Sequence, residues 1–522
     1  MKPAGHRSPS PAAYRRYVSL FFVCFFVLLS SGRLGSSDAA GQLQSAELLA
    51  TTGKLGTVES AATVGWVPSP NGLVYEAHDV GALALMLPGA WVAAKLSHAS
   101  NDELFRDPPV IAKVITALIY ALVSAIGATY LCLLLARFYG AKQAFVLSLL
   151  FASGTFYLPY AKVAWDVAPA AAMMCVFLYC LHETQRVDAT QRIYAATGLA
   201  LALLCSFRFS LVPFMAVTLA CLAWPDRARW SKYVVLGATF LACMLPDFIY
   251  NFVRTGSLLR PATATAFYLN GNNSLAGNIP GGLLGLFFSG NHGVVFYAPP
   301  LLLALLLPIA WRGLARPQQK FIVATMAGSV LYLLLIAKMV NWGAFGWGPR
   351  YLLPVLPIWF IAAAPGFMVI KSRLPHVATA LVIVAAAWNL PAATVNWNTV
   401  VAEFPNADIP EARGFYSIDG IWTGFWQGLR GQPLNFAKTE PGQLDNAARR
   451  FPDIWTARLI EKSATARMAG IAIVLILLGG MSFAARGILR AAMRKSRGSA
   501  AVYAGNEKAV DGINDAEPSA QR

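Results

Sequence analysis

Apolar residues along this chain gather into long runs, separated by short polar links and by a few long polar segments. The runs cover residues 17–34, 112–136, 143–160, 167–182, 193–206, 209–224, 233–250, 294–311, 321–338, 351–370, 376–393 and 468–485. Several reach the roughly 18–22 residues that a helix needs to cross about 30 Å of hydrocarbon. Lipid cannot satisfy irregular backbone, so each of these runs, about twelve in all, is predicted to be a membrane-spanning helix. Residues 194–224 are too long for one span, and Arg208 marks the natural hairpin point. The stretch 83–97, which contains Pro88, is apolar but too short to span. It is predicted to lie at the membrane surface as a juxtamembrane helix. The fold class that follows is an all-α polytopic membrane protein with outer-face loops.

Alternate short links carry the cations: Arg137 and Lys142; Arg186 and Arg192; Arg227, Arg229 and Lys232; Arg312, Arg316 and Lys320; Lys371 and Arg373. Residues 1–16 and 486–522 are basic on the same side, which the positive-inside rule makes cytoplasmic. The spanning module is then 17–393, with outer loops at 35–111 and 251–293. An outer segment, 394–467, precedes the last span at 468–485, and the tail from 486 reads as disordered. Turn-forming clusters such as Asn270-Gly271-Asn272-Asn273 and Gly431-Gln432-Pro433 mark the outer segments, which are too long to be simple connectors. The first span has a rival reading as a secretory signal peptide, with small residues around Ser36–Ala40 at the cleavage point.

Composition agrees with the pattern. Residues of the AVILMFWYC set make up 57% and charged residues 13%, against roughly 25% charged in soluble domains. This excludes a soluble globular enzyme and a disordered chain. The net charge of +17 is mostly the topology signal, so no nucleic-acid partner is inferred. All seven cysteines fall within apolar runs and read as small buried hydrophobes.

Ionisable groups at a lipid boundary are costly, about 2.5–3.5 kcal/mol at a helix centre, so each needs a reason. On the outer face they collect: Asp38, then Glu76, His78 and Asp79, then Lys162 and Asp166, Arg254 beside the polar Asn251, His292, Lys338 and Arg350. For a single Lys or Arg at a span end, snorkelling is the ordinary explanation. Arg350 differs, because it stands on the side where the positive-inside rule disfavours Arg, between Pro349 and Tyr351. No His-Glu-x-x-His, phosphate-cradling Gly-Lys-Ser/Thr loop, dinucleotide fingerprint or Gly-x-Ser-x-Gly elbow is present.

The ordered outer-face segments resemble those of the GT-C membrane glycosyltransferases that use polyprenyl-phosphate sugars, in the branch of protein mannosyltransferases and lipid A aminoarabinose transferases. The likeness rests on Ser37-Asp38 with the helical Gln42–Thr52 run, on Asn71–Leu83 with Pro88, and on the Tyr160–Pro169 loop. It continues through Tyr250–Ser257, Gly281–Pro300 and Trp347–Pro354, and so covers about residues 17–365. The resemblance implies an inner-membrane, inverting hexosyl- or pentosyltransferase with its site facing the periplasm or exterior. Its partners would be membrane lipids, a polyprenyl-phosphate-linked sugar and a lipid, glycan or protein acceptor. It implies Asp38 as general base, Asp166 as the second acidic position, and Arg350, Arg254 and Lys162 as candidates for the carrier phosphate. Tyr75, Glu76, His78, Asp79 and Tyr351 fall in the matching motifs as substrate-binding positions. Many members have Glu after the first Asp, where this chain has Ala39, and a Lys near Tyr75, where it has Ala77-His78. Phosphate neutralisation must then come from Lys162 or Arg350, and a divalent metal is neither required nor excluded. Two other classes stay open: a transporter or lipid-carrier flippase, and a GT-C-like protein that binds carriers without catalysis.

Overall fold

The structure, a computed structural model, describes residues 11–58, 66–96, 109–262, 274–344, 346–397, 416–432 and 451–514. The Asn270–Asn273 cluster and residues 398–415 and 433–450 of the outer segment 394–467 lie outside the described residues. The elements are helices α1 (Pro11–Leu29), α2 (Ser37–Thr52), α3 (Val80–Leu96), α4 (Val110–Tyr139), α5 (Ala141–Gly154), α6 (Tyr157–Ala161), α7 (Val167–Thr184) and α8 (Gln191–Phe207). There follow α9 (Val212–Ala223), α10 (Trp230–Cys243), α11 (Leu245–Thr255), α12 (Ile279–Phe288), α13 (Val294–Tyr297), α14 (Leu307–Trp311) and α15 (Arg316–Ala337). The last are α16 (Leu356–Arg373), α17 (Pro375–Thr394), α18 (Tyr416–Leu429), α19 (Trp455–Lys462) and α20 (Ala464–Asn514). Among the described residues the only sheet is the antiparallel pair β1 (Trp66–Pro68) and β2 (Val74–Glu76).

Among the described residues, seven helical stretches are long and apolar enough to cross a membrane: Ala12–Leu29, Val110–Tyr139, Val167–Thr184, Arg316–Ala337, Arg350–Arg373, Pro375–Thr394 and Ala464–Met493. The runs at 143–160, 193–206 and 294–311 instead contain shorter apolar helices, Ala141–Gly154, Gln191–Phe207 and Pro299–Trp311. Proline explains part of this. Pro299 and Pro300 open a 3₁₀ segment, Pro299–Leu306, and Pro308 just after it lacks the N–H with which an α ladder would continue. The runs 209–224 and 233–250 fall on a pair, Phe209–Ala223 and Arg227–Cys243, bent by 114°. Pro225 sits at that break, where it lacks the N–H that a continued helical ladder would need.

Helices α4, α7 and α8 pack in sequence, with α10 against α8 and α9 against α15. Small residues let the helices approach: a Cβ at Gly127 of α4 would stand 2.5 Å from the Ala172 Cα of α7. Aromatic edges fill the middle of the bundle, Phe26 and Phe151 meeting Tyr157 at ring separations of 5.8 and 4.8 Å. Helix α1 lies along α4 and α20 and buries Val18, Phe22 and Phe26.

What positions the candidate site is the layering of α2 and α3 on the bundle. Helix α2 packs on α3, and α3 on α4. The link before α2 runs beside the link before α7: Ser31 N donates to Lys162 O at 2.7 Å, and Gly35 N to Ala164 O at 3.1 Å. Residues 36–38 and 165–166 are thereby brought to one end of the bundle. The segment 453–455 is pinned there too, because Asp453 N donates to Thr394 O (2.6 Å) and Trp455 N to Ser30 O (2.9 Å).

Candidate active site

Asp38 stands in the first turn of α2. Ser36 caps this helix, its hydroxyl oxygen accepting from Ala39 N at 3.1 Å, and an acid in the first turn suits the positive end of the helix dipole. The Asp38 carboxylate meets two cations. Arg350 Nη1 lies 3.4 Å from its Oδ2, and His78 Nε2 lies 3.8 Å from the same oxygen. Burial works against the charge on Asp38, but His78, Arg350 and Arg208 outweigh it and hold the carboxyl below its ordinary value.

The His78 ring is oriented from behind. Strand β2 ends at Glu76, paired with Trp66 of β1, and the chain then turns so that Glu76 faces its neighbour two residues on. The Glu76 carboxylate contacts His78 Nδ1 and accepts from the His78 backbone N at 3.0 Å. Burial opposes charge on the ring, yet Glu76 above all, with Asp38 and Asp166, raises its pKa to about 9 from 6.5. His78 is therefore a cation at neutral pH. A raised histidine pKa stabilises the fold fully below pH 6.5, and that contribution is lost as pH rises through about 9. The melting temperature is expected to fall across this window, and the fall to be smaller in His78→Gln. Identical wild-type and His78→Gln profiles would mean that the ring is neutral.

Arg254, at the end of α11, fixes the same turn. It is fully buried, donates from Nη1 to the carbonyls of Glu76 (2.9 Å) and His78 (2.6 Å), and from Nη2 to Asn251 Oδ1 (2.8 Å). The Tyr250 ring covers its guanidinium at 3.9 Å. These contacts make Arg254 a brace for the Glu76–His78 turn. Asp79 ties the turn to the next layer by accepting from Phe209 N at 3.1 Å, and burial raises its carboxyl above the ordinary value. Tyr75 is buried, its hydroxyl accepting from Asn71 Nδ2 at 2.7 Å.

Arg350 opens a 3₁₀ turn, Arg350–Val355, after a loop in which Gly346 and Gly348 have φ of +151° and +68°. Only glycine adopts such backbone readily, and a Cβ at Gly348 would lie 2.8 Å from the Tyr297 ring. The guanidinium lies over Trp165 at 4.5 Å and Tyr351 at 5.2 Å. Its Nε–H is buried and has no hydrogen-bond partner. Asp166, at the start of α7, is paired with Arg208, whose Nη2 lies 3.3 and 3.4 Å from its carboxylate oxygens. Sequence reading treated Arg208 as a turn marker. The missed signal was a lone cation inside an otherwise apolar stretch, a costly placement that points to an inward-facing role.

Lys162 lies elsewhere. Its ammonium is wholly buried and is shared among Asp453 Oδ2 (3.1 Å), Ala393 O (3.1 Å) and Val395 O (2.7 Å). Burial foremost pushes its pKa down to about 8, against the opposing pull of Asp453. Arg33 and Arg458 close on the same carboxylate at 2.8 and 2.6 Å. None of Arg33, Asp453 or Arg458 was singled out from the sequence. Among the described residues, no three His, Cys, Asp or Glu side chains form a group suited to a metal ion.

No protein-family model matches the sequence, and no curated protein matches it. Among solved structures, ArnT from Cupriavidus metallidurans in the apo state is similar over 91% of this chain and 76% of its own, at 16% identity and a TM-score of 0.49. ArnT from the same organism bound to undecaprenyl phosphate gives 15% identity over the same shares, with a TM-score of 0.49.

Proposed function

We propose that this protein is an integral-membrane glycosyltransferase that moves one sugar from a polyprenyl-phosphate donor to a cell-envelope lipid, glycan or protein. Its site faces the periplasm or exterior of the inner membrane. The observation that carries this reading is the pairing of Asp38, a carboxylate held ionised, with Arg350, a partly buried cation whose buried Nε–H lacks a protein partner. One can take a proton while the other receives a phosphate.

In this reading the acceptor hydroxyl gives its proton to Asp38 as its oxygen attacks the anomeric carbon. The bond from that carbon to the phosphate oxygen breaks, its electron pair leaves with the lipid phosphate, and the configuration inverts. General-base help of this kind contributes about 10²–10⁴ in rate. Arg350 stabilises the charge growing on the departing phosphate, with Arg208 and protonated His78 adding to the local field. The 3.4 Å contact between Arg350 and Asp38 is long for a charge-assisted pair, so a phosphate can compete for the guanidinium. When it does, Asp38 loses part of the field that lowers its basicity. Glu76 and Arg254 act as positioning residues through His78, and Tyr351 and Trp165 support the Arg350 guanidinium. The segment 394–467 is the proposed acceptor-selecting region.

Arg350→Ala is expected to raise the donor KM and lower kcat/KM by about 10- to 100-fold, the worth of one hydrogen bond to a charged group. Arg350→Lys should recover little, since a point charge replaces a stacked, bidentate plane. Titrating the donor at fixed acceptor separates the outcomes. Unchanged donor dependence would remove Arg350 from phosphate binding.

A further inference from the structure

Helix α2 carries a polar stripe that the mechanism so far uses only at its start. Asp38, Gln42 and Ser45 follow at spacings of four and three, and so share one face of the helix. The neighbouring face, with Ala39, Leu43 and Ala46, packs on Leu83, Met86 and Ala90 of α3. Gln42 is 1% exposed, yet neither its Nε2 nor its Oε1 has a hydrogen-bond partner. A buried amide with nothing to bind is costly, and native structures rarely retain one without a use for it. Other buried polar groups at this end of the fold share the condition, among them Arg350 Nε, on the residue that contacts Asp38, and the hydroxyl of Tyr120, which packs in one cluster with Ala39 and Leu43. Partnerless groups thus stand both on the helix that carries Asp38 and on the residue that pairs with it.

Their chemistry differs. Arg350 offers a cationic donor suited to phosphate. Gln42 offers two neutral donors and an acceptor, which suits hydroxyl groups that both give and take hydrogen bonds. One helical turn, a rise of about 6 Å, separates Gln42 from Asp38, so a ring presented to Asp38 at its anomeric carbon lies within reach of the amide. We infer that Gln42 is a sugar-binding residue whose amide engages the ring hydroxyls of the polyprenyl-phosphate-linked sugar. This rests on the transferase reading above. A site built to pair a hydroxyl strongly rejects analogues that lack it, so Gln42 is also a specificity determinant.

The test measures thermal stabilisation of the full-length protein in nanodiscs. The ligands are undecaprenyl phosphate alone and undecaprenyl phosphate bearing glucose, mannose or xylose. Wild type should be stabilised by the bare carrier and further by a sugar-bearing one. Gln42→Leu should keep the response to the bare carrier, lose most of the sugar-specific increment, and melt no lower than wild type when unliganded. Gln42→Asn, which keeps the amide one methylene short, should lie between them. Three results overturn the inference: a sugar increment undiminished in both variants, equal stabilisation of wild type by bare and sugar-bearing carriers, or an unliganded melting point lowered in Gln42→Leu. A wild type that no lipid stabilises refutes the transferase reading itself, and the inference with it.

Discussion

Asp38→Asn is expected to abolish sugar transfer, with kcat falling by about 10²–10⁴-fold, while membrane insertion and melting temperature stay close to wild type. The substitution keeps shape and hydrogen-bonding capacity: an amide oxygen at this position can still accept from Arg350 and from the His78 ring. What it loses is the ability to take a proton and the negative charge. Because Asp38 is only partly buried and its contacts with Arg350 and His78 are long, at 3.4 and 3.8 Å, little folding free energy rests on them. Donor binding should persist or tighten, since Arg350 no longer divides its charge between carboxylate and phosphate. Kinetics with the donor varied would show kcat lost with KM unchanged or lower. A variant with normal kcat would remove Asp38 from the chemistry.

Asp453→Ala is expected to destabilise the fold by about 3–5 kcal/mol, the usual cost of removing one partner from a buried charge network. Its carboxylate is fully buried against Arg33, Lys162 and Arg458, and Lys162 itself is sealed from water. Without Asp453 the ammonium keeps only the carbonyls of residues 393 and 395. The double variant Asp453→Leu/Lys162→Met should regain part of the loss, because both buried charges then disappear together. The pH dependence has a definite sign. Burial opposes the Asp453 charge, but Arg33, Lys162 and Arg458 hold its carboxyl well below the carboxylate range. The stabilisation is therefore present above about pH 4 and lost as pH falls below it. Melting curves across that range should show an acid-induced loss in wild type that Asp453→Asn lacks.

Hydropathy made the long helices legible, since seven of the apolar runs are helices of spanning length. Run length does not register the 3₁₀ segment Pro299–Leu306 or the bend of 114° at Pro225. The tail shows the opposite case: α20 continues to Asn514, beyond the expected end of the span. The residues of the candidate site were legible as one plane of outer-face charge, and the structure brings Asp38 to Arg350 across 312 positions of sequence. Which member of the plane faces which was not legible. Arg254 and Lys162 bind backbone carbonyls, and a carbonyl leaves no mark in a sequence. Arg208 looked like punctuation between two spans, although its partner, Asp166, lies 42 residues away. Gln42 could not stand out at all, because its interest lies in the partners it lacks.

The central claim is that Asp38 and Arg350 transfer sugar from a lipid carrier. It is tested most directly with membranes holding wild-type or Asp38→Asn protein, offered radiolabelled polyprenyl-phosphate sugars and cell-envelope extract as acceptor. Label that moves to the extract in wild type and stays on the carrier in Asp38→Asn is the predicted result. Wild-type membranes that transfer no label from any donor, yet carry the labelled lipid across the bilayer, would contradict the account and make this protein a carrier transporter.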